Sequence, residues 1–453
     1  MEKFVKRQLH NTKMIRFFII CCFFFGMHLI FHIEEYRYDA SQYWNYGKLF
    51  PNLSDSFRGY VFPMFNAICY KIGTIFGNEY AGYWIISSVV FAILFTYIYK
   101  YIAMLLGFNR DSEQVGWSGV ACAVVTFVLF RGLFLYPLSD LYAFFVSLGS
   151  IILLHKIVTT KSEKKSCFWA VMLGITIYAA YNIRTIYLFV GIVIVAGIIA
   201  YFFVKRKWVE MIRIGSFLFV GMCVCALPQM ILNNKLYGIF TWKVQTDNLM
   251  LLHLFLGIKY DRYGTYIGNP ELYRSAAMYY NDYLGQNILA KENIIWISSY
   301  SQYLKLILKY PLDMLGIYVR HFVNMLYPIF PNQYITSLNG LKSVYMLLFY
   351  TLFFVSCSTF EIKVKGHMWK WVTIILMLVP CISILPGEVE IRFFIAMHML
   401  IYMYAVLSVK KFVMKWKKSW KKCLLYYGTG LLVYIGWCGY MLSTLADGVT
   451  FLG

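Results

Sequence analysis

Long apolar runs separated by short basic clusters set the pattern of this chain. Residues 14–33, 80–106, 115–136, 138–158, 167–186, 187–204, 211–232, 338–359, 369–386, 392–412 and 423–445 each read as one hydrophobic helix. A helix rises about 1.5 Å per residue, so about 20 apolar residues cover a hydrocarbon core of roughly 30 Å. Helices also satisfy their own backbone N–H and C=O groups where no water is present. The pattern predicts an all-α polytopic integral membrane protein of about eleven spanning helices, one transmembrane domain over residues 1–453.

Two longer stretches interrupt the runs. The first, residues 34–80, contains a segment at 59–77 that is long enough to span. Its apolar positions Phe62, Phe65, Cys69, Ile72 and Phe76 recur at helical spacing and leave Lys71 on the flank. That spacing predicts an amphipathic helix lying in the interface. The second stretch, residues 233–337, carries Tyr260, Tyr263, Tyr266, Tyr273, Tyr279, Tyr280 and Tyr283 and ends in an amphipathic segment from Tyr303 to Phe330. A loop of this length and composition is expected to form an ordered cap on the membrane, where an acceptor would dock. No internal repeat of the kind that marks many transporters is visible.

Composition agrees with the pattern: 60% of the residues are hydrophobic and only 14% are charged. The net charge of +21 changes the picture only through its placement. Lys and Arg gather at 156–165, 205–213, 363–370 and 410–422, between runs rather than along one folded face, so nucleic acid is not an expected partner. With the amino terminus inside, all four clusters are cytoplasmic, as the positive-inside rule requires, and both long stretches lie outside. The cluster at 410–422 then touches anionic lipid. The first run follows Lys3, Lys6, Arg7, Lys13 and Arg16 with no small-residue cleavage site behind it, so it is expected to stay as an anchor. Eleven cysteines are present, yet 233–337 has none, which argues against a disulfide framework or a cysteine metal site. His321 stands without a second histidine or cysteine nearby, and no pattern calls for a metal or cofactor, although a divalent cation is compatible with the chemistry below.

Ionisable residues in or beside apolar segments are costly and mark candidate sites. On the predicted topology they share the exoplasmic side: Asp39 beyond the first run, Arg58 and Lys71 in the first loop, Asp140 opening the fourth run, Arg184 closing the fifth, and Glu388, Glu390 and Arg392 between the ninth and tenth. Such a set suits transfer from a lipid phosphate. A carboxylate takes the proton from the attacking hydroxyl. Arg, as a planar fork, and Lys, as a point charge, stabilise the leaving phosphate. Plainer roles exist for each. Asp140 is placed to cap a helix. Arg184 and Arg392 are placed to snorkel, Glu390 to pair with Arg392, and Glu35, four residues before Asp39, to raise its pKa or replace it as base.

The order Tyr38-Asp39-Ala40-Ser41-Gln42-Tyr43-Trp44, Arg58-Gly59-Tyr60 with its amphipathic helix, Tyr136-Pro137-Leu138-Ser139-Asp140, Arg184 and Glu390-Ile391-Arg392-Phe393-Phe394 resembles the GT-C superfamily of polyprenyl-phosphate-sugar-dependent membrane glycosyltransferases. That superfamily includes protein O-mannosyltransferases and the aminoarabinose transferases of lipid A. The resemblance implies Asp39 as the catalytic acid, Asp140 as a second acid, Arg58, Lys71, Arg184 and Arg392 at the donor phosphate, and Glu390, Tyr43 and Tyr263 at the substrate. It implies a polyprenyl-phosphate monosaccharide donor, inverting transfer, a glycan, lipid or protein hydroxyl as acceptor, and a site facing away from the cytosol. The absence of endoplasmic-reticulum retention signals points to a bacterial plasma membrane. The chain differs from members with a large soluble carboxy-terminal domain, since its long loop sits mid-chain. Rival readings are a polymerase or ligase of undecaprenyl-diphosphate-linked oligosaccharide, which shares a large outer loop with functional arginines, and a transporter or lipid flippase.

Overall fold

The computed structural model describes residues 2–33, 35–53, 59–109, 112–266, 277–326, 334–335, 342–362, 367–445 and 449–452. Among them, eight helices are long and apolar enough to cross a membrane: Thr12–Phe31, Ala81–Leu105, Glu113–Leu135, Ser139–Thr159, Glu163–Ile183, Thr185–Val204, Trp208–Tyr237 and Ile391–Lys418. The runs expected at 338–359 and 369–386 form shorter apolar helices, Val344–Thr359 and Met368–Ile384, and the last run forms Trp420–Leu445. Helix ends follow local chemistry. Pro137 has no N–H and disfavours helical backbone in the residue before it, so a break separates two helices and Leu138 is extended at φ −104°, ψ 133°. Gly238 ends the Trp208–Tyr237 helix in left-handed backbone at φ +68°, its amide donating to the Asn234 carbonyl.

The chain forms two compact units, each assembled from separate segments: Met1–Val125, Leu133–Gln245 and Ile362–Pro380 in one, Thr126–Gly132, Thr246–Glu361 and Cys381–Gly453 in the other.

In the first unit, rings and small residues set the packing. Phe24 of the opening helix lies 5.0 Å from Phe91 and 4.9 Å from Phe134, centroid to centroid. The helices Glu163–Ile183 and Trp208–Tyr237 approach backbone to backbone at Gly174 and Gly221, where an added Cβ would run into the Leu218 and Val171 carbonyls. Small residues at such crossings replace the hydrophobic drive that lipid removes. The segment expected as an amphipathic helix is one, Val61–Ile75, and its 15 residues span about 22 Å, too short for a straight crossing. Phe62, Asn66, Cys69 and Gly73 face the protein, while Lys71 and the apolar Met64, Ile68 and Ile75 face outward. Phe76, expected on the buried face, lies exposed past the helix end.

In the second unit, residues of the 233–337 stretch fold into helices and a small sheet. The strands are β1 (Tyr260–Tyr266), β2 (Ala277–Asn281), β3 (Tyr334–Ile335) and β4 (Val449–Leu452). They run in the order β3-β1-β2-β4, with β1–β2 and β2–β4 antiparallel and β1–β3 parallel. The sheet adds a β element to an otherwise helical fold. Its cause is the tyrosine content, because aromatic side chains suit a pleated surface and pair across strands. Tyr263 sits opposite Tyr279 in the register and stacks on it at 5.7 Å, and the Tyr260 ring meets Tyr279 at a tilt at 4.4 Å. Beside the sheet, Leu254, Ile258, Ile288, Leu306, Met314 and Ile317 form one core. The helices Tyr300–Lys309 and Pro311–Asn324 bury Tyr303, Leu306, Met314 and Ile317 in it, yet leave Leu304, Leu308, Leu312 and Leu315 exposed on the other side. A helix apolar on both faces serves a protein core and an apolar medium at once.

Candidate functional site

The first unit gathers most of the sequence-predicted acids and bases. Asp140 is the second residue of the Ser139–Thr159 helix, is buried, and holds Oδ1 2.9 Å from Nη1 of Arg184. Leu138, not Asp140, is the capping residue, so the carboxylate complements the helix dipole from within the first turn while its ion pair is to Arg184. Arg184 follows the Glu163–Ile183 helix in extended backbone at φ −150°, ψ 114°, just before a 3-10 turn at Thr185–Tyr187. That extended residue is what carries the guanidinium back to Asp140.

Asp39, half-buried, opens the Tyr38–Leu49 helix one turn before Tyr43 on the same face. Tyr43 is buried, accepts a 2.9 Å hydrogen bond from Ser139 Oγ and meets Phe62 edge-on at 5.1 Å. Because Ser139 precedes Asp140, this bond ties the Asp39-bearing helix to the Asp140–Arg184 pair. Glu35 precedes that helix rather than lying on it, and pairs with Arg37 at 3.2 Å on the surface, which removes the helical spacing expected between Glu35 and Asp39.

A chain of amides that sequence reasoning passed over lies alongside. Asn182 donates to Gln229 Oε1 at 2.8 Å, and Gln229 donates to Asn233 at 2.9 Å. The Asn182 and Gln229 side-chain oxygens accept from the amides of Val61 and Tyr60 at 2.9 and 3.2 Å. Gly59 packs so closely on Asn182 that no Cβ would fit. The segment that follows position 58 is thereby fixed two residues from Arg184. The signal for this network was present as amides inside apolar runs, where polar groups seek partners across helices. Arg58 itself lies outside the described residues. Lys71 is exposed on its helix and has no ion-pair partner among the described residues, so it does not join Asp140 and Arg184.

The second unit brings together Glu390, Arg392 and Tyr263. Glu390 Oε2 is 2.6 Å from Arg392 Nε, both groups buried, and Arg392 Nη2 donates to the Tyr263 hydroxyl at 3.0 Å. Tyr263 is held in turn by its amide, which donates to the Val389 carbonyl at 3.0 Å. Glu388 pairs with His253 Nδ1 at 2.7 Å, a partner that sequence reasoning missed because it sits in a separate apolar helix, Asp247–Lys259. Burial beside Glu388 and Glu390 raises the pKa of the Tyr279 phenol. Its proton stays in place at physiological pH. Among the described residues no group of three or more His, Cys, Asp or Glu is placed to hold a metal ion.

Chemically, each unit offers an arginine fixed by a buried carboxylate, and in the second unit a tyrosine hydroxyl accepts from that arginine. An arginine so held is oriented before any ligand arrives, which suits recognition of phosphate or of sugar hydroxyls. No protein-family model, no curated protein and no solved structure matches this chain.

Proposed function

We propose that the protein is a membrane glycosyltransferase that moves a monosaccharide from polyprenyl phosphate to a hydroxyl of an envelope glycan, lipid or protein. The observation that carries this reading is the link from the Asp39 helix through Tyr43 and Ser139 to the buried Asp140–Arg184 pair. Asp39 acts as general base and takes the proton of the acceptor hydroxyl. The acceptor oxygen bonds to the anomeric carbon, the bond from that carbon to the phosphate oxygen breaks, and configuration inverts. Arg184, positioned by Asp140, stabilises the phosphate as it leaves, with Arg58 as a further cation on the first loop. The chain crosses a bacterial plasma membrane about eleven times with its amino terminus in the cytosol. Residues 34–80 and 233–337 form the exoplasmic loops.

Mass spectrometry of envelope glycans and lipids, with and without the protein, identifies donor and acceptor together through the missing sugar. In the same cells Asp39→Asn is expected to lower transfer by about 10²- to 10⁴-fold, the usual contribution of a general base, at unchanged protein level. Retained transfer in Asp39→Asn with loss at Arg262 or Arg320 would favour a polymerase or ligase instead. The observation behind that second reading is that Arg262 is buried and donates to the Asn324 carbonyl at 3.3 Å, while Arg320 is bound to Asp282.

A further inference from the structure

Within the second unit, β1, β2 and the helices Pro311–Asn324 and Trp420–Leu445 line an open cavity of about 580 Å³. This is a volume of the order found in small-molecule sites, about 300–1,000 Å³. Its inner end is polar. Asp282 caps the Tyr283–Lys291 helix through Oδ1, which accepts from the Gly285 amide at 3.0 Å. The other oxygen of Asp282 accepts from Arg320 Nε at 3.1 Å and Nη2 at 2.5 Å. Asp261 is 1% exposed; Asn324 donates to its Oδ2 at 2.6 Å, and its Oδ1 has no hydrogen-bond partner among the described residues. Burial, with Asp282 nearby, pushes the Asp261 carboxyl up to about 7.

Two features fix the class of ligand. Charge at the inner end is nearly balanced, because Asp282 pairs with Arg320 and the buried Asp261 lies within electrostatic reach of Arg262 as well as Arg320. A free ion of either sign gains little there, whereas a hydroxyl gains a buried oxygen that is otherwise unsatisfied. The outer end is aromatic and aliphatic. Trp437 and Tyr440 line one wall, and Leu312, Leu315 and Val319 recur along one face of the opposite helix. The C–H face of a sugar ring packs on the electron-rich face of an aromatic ring. The leucines offer a continuous apolar track at helical spacing, and Leu312 is 81% exposed.

We infer that this cavity binds a neutral glycolipid, its sugar against Asp261, Arg320 and Trp437 and its hydrocarbon chain along Leu312, Leu315 and Val319. The cavity belongs to the second unit, and the inference does not rest on the transfer proposed for Asp39, Asp140 and Arg184. A fluid bilayer supplies such a ligand sideways, since the apolar track is exposed.

The test uses the full chain in phosphatidylcholine nanodiscs with an octyl β-glucoside that carries a diazirine at the end of its chain. Photolabelling is expected within residues 311–324 or 433–440, and unlabelled octyl β-glucoside is expected to compete. Trp437→Leu and Tyr440→Leu, both at exposed positions, are expected to weaken that competition roughly three- to tenfold each while leaving thermal unfolding unchanged. Equal competition by an octyl oligo-oxyethylene ether of the same chain length overturns the sugar part. Equal competition by methyl β-glucoside overturns the lipid part. Labelling spread over other helices overturns the site. Retained transfer in Asp39→Asn would sink the transferase reading and leave this one in place, so the two proposals fall separately.

Discussion

Asp140 and Arg184 illustrate how a charged pair behaves when water is scarce. Exchanging a buried pair for apolar residues is often neutral, but removing one partner strands the other and costs about 3–5 kcal/mol. Asp140→Asn or Arg184→Gln alone is therefore expected to lower thermal stability in detergent sharply. The double variant should recover a substantial part of the loss, and a cycle over the four proteins measures the coupling. Additive losses would mean that the 2.9 Å contact contributes nothing. Much of this pair was legible beforehand, because an ionisable residue in an apolar run stands out. Its partner was legible only as belonging to the same end of a neighbouring run. That the two meet depends on one extended residue at Arg184, a backbone detail for which the surrounding Ile183 and Thr185 give no warning. Asp261 is the opposite case: a carboxylate in a tyrosine-rich stretch reads as a solvated loop residue until the sheet and Asn324 close over it.

Among the elements, the apolar helices were the legible part, since an apolar run of about twenty residues leaves few alternatives to a helix. The sheet was not. Its strands are short, β3 and β4 pair with segments remote in sequence, and Tyr260–Tyr266 mixes Asp261, Arg262 and Gly264 among its tyrosines. Pairing of that kind is decided by distant partners rather than by local pattern. Glycines separate the two sorts of helix contact. Gly174→Val, against the Leu218 carbonyl, is expected to destabilise by at least about 1–3 kcal/mol through overpacking. Gly149→Ala, with open space around it, should be neutral or stabilising by up to about 1 kcal/mol, as expected for a helix interior. Thermal unfolding followed by far-ultraviolet circular dichroism distinguishes them. Equal behaviour of the two would deny the close approach of the Glu163–Ile183 and Trp208–Tyr237 helices.

For the whole molecule, the proposed arrangement in the membrane makes the sidedness of each loop measurable. Cysteine introduced at Lys71 or Glu292 is expected to react with a membrane-impermeant maleimide added to intact cells. Cysteine at Lys164 or Lys421 should react only after permeabilisation, all in a background free of exposed native thiols such as Cys22, Cys223 and Cys357. Labelling of position 71 from the inside would place the Tyr38–Leu49 helix on the wrong face for a lipid-linked donor carried to the outer leaflet. It would remove the proposed transfer at a stroke. The charge pattern behind this proposed topology is a property of the entire chain, whereas individual partners depend on local backbone detail.

The leucines turned outward from Tyr300–Lys309 and Pro311–Asn324 have a consequence for measurement. A ligand that arrives along them searches a surface, so what governs occupancy is its mole fraction among the surrounding amphiphiles rather than its molarity in the buffer. Adding inert detergent at constant ligand will then lower apparent affinity by surface dilution, and binding constants taken at different detergent loads will agree only when expressed per lipid.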